Sequence, residues 1–427
     1  MEIAVLFGVF ALLLVLGVPV AFAIAMASVA CVLAIGLDPI VVVQQVASGF
    51  TKVSLLAIPL FIFAGELMLR GGISERLISL ASSLVGHLRG GLGQVSVVAS
   101  TLFGGVSGSA LADVSAIGST MIPQMEKRGF SKDYAVDVTV SAALVALLLP
   151  PSHNLILYSA IAGGGVSIAD LFAAGIIPAL MLALGVMIAA YFLARARNYP
   201  TEKFPGFGAV LTRLIAAIPG LLLIVVIFGG IRAGIFTAVE SAAVAVIYAL
   251  LVTLLVYRGM GWGAFVGAVS HAARSTGAIL FVIGAAAAFG WLMAYLQIPS
   301  MAVEALNAIT DEKVVVLLLM LVILLVLGTF MDLAPMIIIC TPILLPVARA
   351  YEVAPLHFGV ILVLGAGIGL VTPPVGSVLF VGSAIGRITV AEAMKSIWPF
   401  YLAALSVLLL VTFIPELSLW LPTVWKH

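Results

Sequence analysis

Two short polar stretches hold the residues best suited to chemistry in an otherwise apolar chain. The first runs from Phe103 to Asp113 and contains Ser107, Gly108 and Ser109; the second is Gly328-Thr329-Phe330-Met331-Asp332. Each is followed by a double proline: Pro150-Pro151-Ser152-His153-Asn154 after the first, Thr372-Pro373-Pro374-Val375-Gly376 after the second. Glycine lets the chain turn. Proline has no N–H to donate, so carbonyls upstream of it lose their helical partners. Hydroxyls, side-chain amides and freed carbonyls are the oxygen donors a hard cation such as sodium requires. Ser107 and Ser109 with Ser152 and Asn154 would supply one cation site. Gly328 and Thr329 with Thr372 and Gly376 would supply a second.

The elements that position these residues are membrane helices. The chain has 427 residues, 64% hydrophobic and 9% charged, whereas soluble domains carry about 25% charged residues. Net charge is +1, which argues against a nucleic-acid partner. Cys31 and Cys340 both lie in apolar runs and read as core residues. No CxxC, HExxH or G-x-x-x-x-G-K-[ST] motif is present, so the motifs of zinc, redox and nucleotide chemistry are missing. The N-terminus lacks a basic n-region and reads as a first membrane segment.

Spanning a bilayer takes roughly 20 apolar residues. Candidate spans are 3–36 (interrupted at Gly17-Val18-Pro19), 53–70, 134–165, 168–195, 212–231, 235–257, 276–296, 314–330, 357–385 and 397–421. The runs 91–126 and 328–348 are broken in their middles and read as paired half-helices. Segment 73–88 places Ile73, Leu77, Leu80, Ala81, Leu84, Val85 and Leu88 on one face, with Ser74, Glu75, Arg76, Ser79, Ser82, Ser83 and His87 on the others. This pattern predicts an amphipathic helix along the membrane surface. Segment 299–310 is a weaker copy, with Met301, Leu306 and Ile309 inward and Glu304 and Asn307 outward. The loop Arg195–Arg213, with Arg197 and Lys203, is placed on the cytoplasmic side by its basic residues.

The two halves repeat. Phe63-Ala-Gly65-Glu66-Leu67-Met68 resembles Phe289-Gly290-Trp291-Leu292-Met293, an offset of 225 (290 − 65). Asp113 and Asp332 are 219 apart (332 − 113), and each has a proline ten residues on, Pro123 and Pro342. The double prolines are offset by 223 (373 − 150). Counting both hairpins as re-entrant leaves four spans between the equivalent helices 53–70 and 276–296, so stepping from one to the other takes five crossings, an odd number, and the repeats are expected to be inverted. Inverted repeats with broken helices near the midplane mark secondary transporters.

A charged Asp in mid-membrane costs roughly 2.5–3.5 kcal/mol, so acids beside both breaks are expected to have a task. Asp113 and Asp332 either stabilise a cation or cap the returning half-helix. Glu66 reads as a helix-end or interface residue, Glu240 as a helix start, and His271 with Arg274 as interface residues. Small-residue packing with proline kinks is the rival account of a single break. Gly105-Val106-Ser107-Gly108 also matches the G-x-S-G motif of intramembrane serine proteases, with His153 as a candidate base. The second break has no serine at the matching place, and a protease has no use for a two-fold copy. A passive channel is a third possibility, but nothing resembles a ring-forming filter.

Taken together the motifs resemble the large membrane subunit of tripartite ATP-independent periplasmic (TRAP) transporters. The matching stretches are Ile58–Glu66, Gly91-Leu92-Gly93, Ser107–Ala110 with Asp113, Pro150-Pro151-Ser152, Gly230–Thr237 with Glu240, Met331-Asp332 with Thr341-Pro342, and Gly369–Gly376. They extend over essentially the whole chain. It departs from the family where Thr237-Ala238-Val239-Glu240-Ser241 replaces the usual Thr-Pro-Thr-Glu-Ala, and in the more polar Ser152-His153-Asn154.

The resemblance implies an all-α polytopic protein of the bacterial inner membrane. It would have inverted repeats, two re-entrant hairpins, two broken helices, and an elevator arrangement of scaffold and transport domain. The implied division is N-terminal scaffold helices at 1–52, repeat 1 at 53–195, central loop and scaffold helices at 196–275, and repeat 2 at 276–427. Sodium would couple import of an organic acid such as a dicarboxylate, sugar acid or sialic acid. A periplasmic binding protein would deliver it, and a small four-helix membrane subunit would pack on the scaffold. Sodium site 1 is expected at Ser107, Gly108, Ser109, Asp113, Pro150 and Ser152. Site 2 is expected at Gly328, Thr329, Asp332, Thr372, Pro373 and Gly376. The substrate would meet Ser107, Ser109, Ser152, His153 and Asn154. No enzymatic activity is expected.

Overall fold

A computed structural model describes residues 1–163, 165–307, 310 and 312–425, with Ser54, Val106 and Asn307 described by backbone only. Among the described residues every regular element is helical. Among the described residues five helices are long and apolar enough to cross a membrane: Ile168–Ala196, Phe207–Arg232, Ala238–Val256, Trp262–Tyr295 and Leu333–Ala350. The chain is therefore a multi-pass membrane protein. Two further helix pairs qualify jointly but bend, Ala57–Arg70 with Ile73–Val85 by 68° and Trp398–Phe413 with Glu416–Val424 by 61°.

Run 3–36 is two helices, Glu2–Val15 and Val20–Ile35, packed on each other. The Gly17–Pro19 interruption folds the chain back, because Gly17 takes a positive φ and Pro19 starts the next helix. The expected boundary at 275/276 falls inside the unbroken helix Trp262–Tyr295. Polar His271, Arg274 and Ser275 do not end this helix, since neither glycine nor proline stands among them.

The amphipathic segment forms the helix Ile73–Val85, burying Ile73, Leu77, Leu80 and Ala81 against the first hairpin arm and the helix Phe207–Arg232. Four residues depart from the expected faces: Ser74 and Ser83 are buried, while Leu84 and Leu88 are exposed. Ser83 is accommodated because its hydroxyl donates to the Leu80 carbonyl at 2.7 Å. In the weaker copy Met301 is exposed; Ile309 and the side chain of Asn307 lie outside the described residues.

The first hairpin ascends as Gly91–Ser107 and returns as Ala110–Asp113, a π-helical turn Val114–Gly118 and Ser119–Lys127. The second is Lys313–Gly328 and Leu333–Ala350. Beside the first hairpin lies a helix broken between Leu147 and His153; beside the second, one broken between Gly369 and Ser377. Hairpins and broken helices share one large apolar core. A second core joins the N-terminal helices, through Leu6, Phe10 and Ile24, to Phe289 and Leu292.

Polar ties fasten these parts. Arg197 donates to Asp133 at 2.8 Å and to Ser131 at 2.6 Å, joining the polar loop to the helix Lys132–Ala143. Arg128 pairs with Glu202 at the same edge. Lys52 Nζ donates to the Ala160 carbonyl at 2.8 Å, linking the end of the third helix, Ile40–Phe50, to the last turn of His153–Ile161. Despite its departure from Thr-Pro-Thr-Glu-Ala, the helix Ala238–Leu251 starts cleanly. Thr237 and Glu240 form a reciprocal capping box.

Candidate functional site

The two hairpin tips are built alike. At the first, Gly108 takes φ +58° and ends the ascending arm. Ser109 then caps the returning arm, its Oγ accepting from Ala112 N at 3.3 Å. At the second, Asp332 caps the returning arm through Leu333 N at 3.1 Å. The helix-capping task considered for Asp113 therefore belongs to Ser109. Ser and Asp are both favoured caps, and their separation (332 − 109 = 223) equals that of the double prolines (373 − 150 = 223).

Each tip is tied to the break beside it. Asn154 Nδ2 donates to the Gly108 carbonyl at 3.0 Å. Gly376 N donates to the Thr329 carbonyl at 3.3 Å. Both contacts require bare backbone. A Cβ on Gly108 would stand 2.6 Å from the Pro151 oxygen, and one on Gly328 2.9 Å from Gly369 Cα. The paired stretches expected from the sequence thus meet in space, Ser107–Ser109 with Pro151–Asn154 and Gly328–Asp332 with Gly369–Gly376.

Individual residues differ in what they offer. Ser107 and Ser109 line a cavity of about 520 Å³, together with His153, Asn154 and Asp332. Ser152 is fully buried and off this wall; its Oγ donates to the Leu147 carbonyl at 2.6 Å and caps the second half-helix through Leu155 N at 3.4 Å. Pro150 is buried, and Pro373 is half-buried. Thr329 donates to Val326 O at 2.8 Å and Thr372 to Ile368 O at 2.8 Å, so the Thr329 hydroxyl keeps both lone pairs and that of Thr372 keeps one beside its bond with Tyr401. Asp113 is fully buried one turn past the tip, and neither carboxylate oxygen has a hydrogen-bond partner among the described residues.

Sequence reasoning missed several participants. Ser377 Oγ donates to Asp332 Oδ1 at 3.4 Å, and Tyr401 hydrogen-bonds Thr372 Oγ1 at 3.3 Å. Ser377 directly follows the Gly376 motif, which was the available signal; Tyr401 gave none. Fully buried Asp137 accepts from Ser396, which fastens the first broken helix to the turn that leads into the last bent pair.

Another part of the cavity wall comes from the helices Ala57–Arg70 and Trp262–Tyr295. Glu66, Arg70, His271 and Ser275 all face it. Glu66 is 7% exposed and bonds Arg70 Nε at 3.1 Å and His271 Nδ1 at 2.9 Å. The interface expected for Glu66 and His271 is thus a wall of the site. Among the described hydrogen bonds none joins Ser107 to His153, so the protease pairing of nucleophile and base is not formed.

Residues 7–417 match the family described as "Tripartite ATP-independent periplasmic transporter, DctM component". The chain belongs to the DctM family of TRAP transporter large permeases. It is 40% identical over 427 residues to the uncharacterised protein YgiK of Salmonella typhimurium, covering 99% of this chain and 98% of that one. It is 35% identical to the sialic acid TRAP transporter large permease SiaM of Vibrio cholerae, over 96% of each. Its DctM-family relatives are transporter permeases and not enzymes. In fold it is similar to the crystal structure of the Alcanivorax borkumensis YdaH transporter, with TM-score 0.61 over 86% of each chain at 16% identity.

Proposed function

We propose that this DctM-family permease imports an organic acid by sodium coupling. The observation that carries the reading is the pair of hairpin tips, each tied to a broken helix and both facing one cavity. The first sodium site is assigned to Ser107, Gly108, Ser109, Pro150 and Ser152, with Asp113 as a buried charge one turn behind. The second is assigned to Gly328, Thr329, Asp332, Thr372, Pro373 and Gly376. Sodium bound at both would order the tips, whose returning half-helices present N–H donors and positive dipole ends to a carboxylate. Ser107, Ser109, His153 and Asn154 border the space where it would sit, with Ser152 supporting them as a cap. The sialic acid named for SiaM is one such acid; dicarboxylates and other sugar acids share the chemistry.

The energetics are sufficient. Each charge gains about 2.3 kcal/mol per 100 mV, and a tenfold gradient adds about 1.4 kcal/mol per ion. Two sodium ions then supply roughly 7 kcal/mol, against roughly 2 kcal/mol for moving a monoanion inward.

In the movement we infer, residues 1–52 and 196–275 stay with the scaffold, and the tips and broken helices travel as one body. The hydrogen-bond ties from each tip to its broken helix support this, while the apolar core they share also takes in Leu223, Ala245 and Ala268 of the scaffold helices. The helix Trp262–Tyr295 bridges the two. Exposed Phe207, Leu211, Ile215 and Val225 on Phe207–Arg232 offer an apolar face to lipid or to a small membrane subunit. The tripartite description of the family supports two partners, that subunit and a periplasmic binding protein. The setting is the bacterial inner membrane.

The test is uptake into proteoliposomes containing the complete transporter. Organic-acid uptake should follow the sodium gradient and vanish in Asp332→Ala. Uptake that ignores sodium but follows a proton gradient would overturn the coupling.

A further inference from the structure

The cavity has two unlike walls. The tips provide one; the helices Ala57–Arg70 and Trp262–Tyr295 provide the other, where Arg70 is the cation. A guanidinium carries five N–H donors. Arg70 spends Nε on Glu66 at 3.1 Å, and no other hydrogen bond to it occurs among the described residues. Its Nη1 lies over Gly267, where a Cβ would come within 2.7 Å of it. Glu66 is nearly buried and also held by His271, so it fixes the guanidinium in place. A pre-organised fork loses little freedom when it binds.

We propose that Arg70 is a second recognition point for the substrate. It would select acids whose far end carries a group able to accept two hydrogen bonds, a second carboxylate best and a vicinal diol next. The inference rests on the organic-acid reading above and deepens it. At about 520 Å³ the cavity is of a size that holds a whole small molecule, so an acid bound at the tips by one carboxylate shares the cavity with the Arg70 wall and can present its far end there. Bidentate geometry makes arginine specific for planar acceptors. Glu66 balances the charge of Arg70, so the wall recognises the far end by directed hydrogen bonds and still releases it. Arg70 is therefore a specificity-determining residue, distinct from the oxygen ligands assigned to sodium.

The experiment uses the complete transporter in proteoliposomes. Its probes are succinate against butyrate, and N-acetylneuraminate against its analogue lacking the glycerol side chain. Whichever acid is taken up is compared with its truncated partner. Wild type should prefer the full acid at least tenfold in uptake KM. Arg70→Gln should erase that preference by weakening only the full acid, and Arg70→Lys should fall between. Gly267→Ala crowds Nη1 while keeping every charge, and should reduce the preference with an unchanged melting temperature. If Arg70→Gln proves unfolded, Arg70→Lys and Gly267→Ala decide. Equal loss for both acids, or an unchanged preference in these variants, overturns the proposal. Absence of uptake for any organic acid overturns the function beneath it instead.

Discussion

Ser109 and Asp332 hold the same post in the two hairpins: each is the N-cap of a returning arm, bonding Ala112 N at 3.3 Å and Leu333 N at 3.1 Å respectively. One cap is neutral and the other acidic, so capping and charge can be separated by experiment. Asp332→Ser should keep the fold, with a melting temperature close to wild type, yet raise the sodium concentration for half-maximal uptake at least tenfold. Asp332→Ala should lose the cap as well, at about 1 kcal/mol. Sodium dependence unchanged in Asp332→Ser would remove the acid from the ion site.

Gly108 combines φ +58° with a Cβ position 2.6 Å from the Pro151 oxygen. Gly108→Ala should therefore abolish uptake while the protein stays monodisperse in detergent. The control is Gly129→Ala, where φ is +85° but nothing lies within 4 Å. Both pay the left-handed cost of about 1–2 kcal/mol; only the first displaces the broken helix. Normal transport by Gly108→Ala would show that the tip contact is dispensable.

Asn154→Ala leaves the Gly108 carbonyl without its side-chain donor. An unmet buried acceptor costs about 1–3 kcal/mol, concentrated at the first tip. Hydrogen exchange should rise across residues 105–110, and sodium affinity should fall. Exchange confined to its wild-type level would mean the tie does not order the tip.

Asp133 lies outside the apolar run 134–165 and supports a pH prediction. Burial pushes its carboxyl up, but the neighbouring hydroxyls of Ser131 and Ser396, the Arg197 guanidinium bonded to it at 2.8 Å and the Tyr134 backbone outweigh this and hold it at about 2. A carboxyl held below its unfolded value, about 3.9, stabilises the fold above that value and loses the contribution as pH falls through the folded one. Asp133→Asn should therefore melt lower than wild type at pH 7, with the gap closing between about pH 4 and pH 2. A gap independent of pH would assign the effect to packing.

The site was legible where backbone chemistry shows in residue type. Gly108, Gly328 and the double prolines announce breaks because glycine and proline are the residues a broken helix needs. The acids were harder. Asp113 and Asp332 share a letter, whereas Ser109 and Asp332 share a role, and capping is performed equally well by either side chain. Matching letters slipped the repeat by four residues, one helical turn. Arg70 and His271 could not be joined from the sequence, because Glu66, the residue that brings them together, reads as an ordinary helix-end acid. The fold-back at Gly17–Pro19 was visible as an interruption, but pairing of the two flanking helices is decided by tertiary packing. The helix Trp262–Tyr295 hid its continuity behind polar residues that face the cavity.

In the movement proposed above, the Lys52 ammonium on the Ala160 carbonyl would work as a detent. It joins the N-terminal helices to the half-helix that carries the first break. A cation at a helix C-terminus is worth about 0.3–1 kcal/mol, enough to favour one resting position and small enough to be escaped by thermal motion. A stroke that moves this half-helix away from the N-terminal helices must first release that click, and the return stroke must find it again.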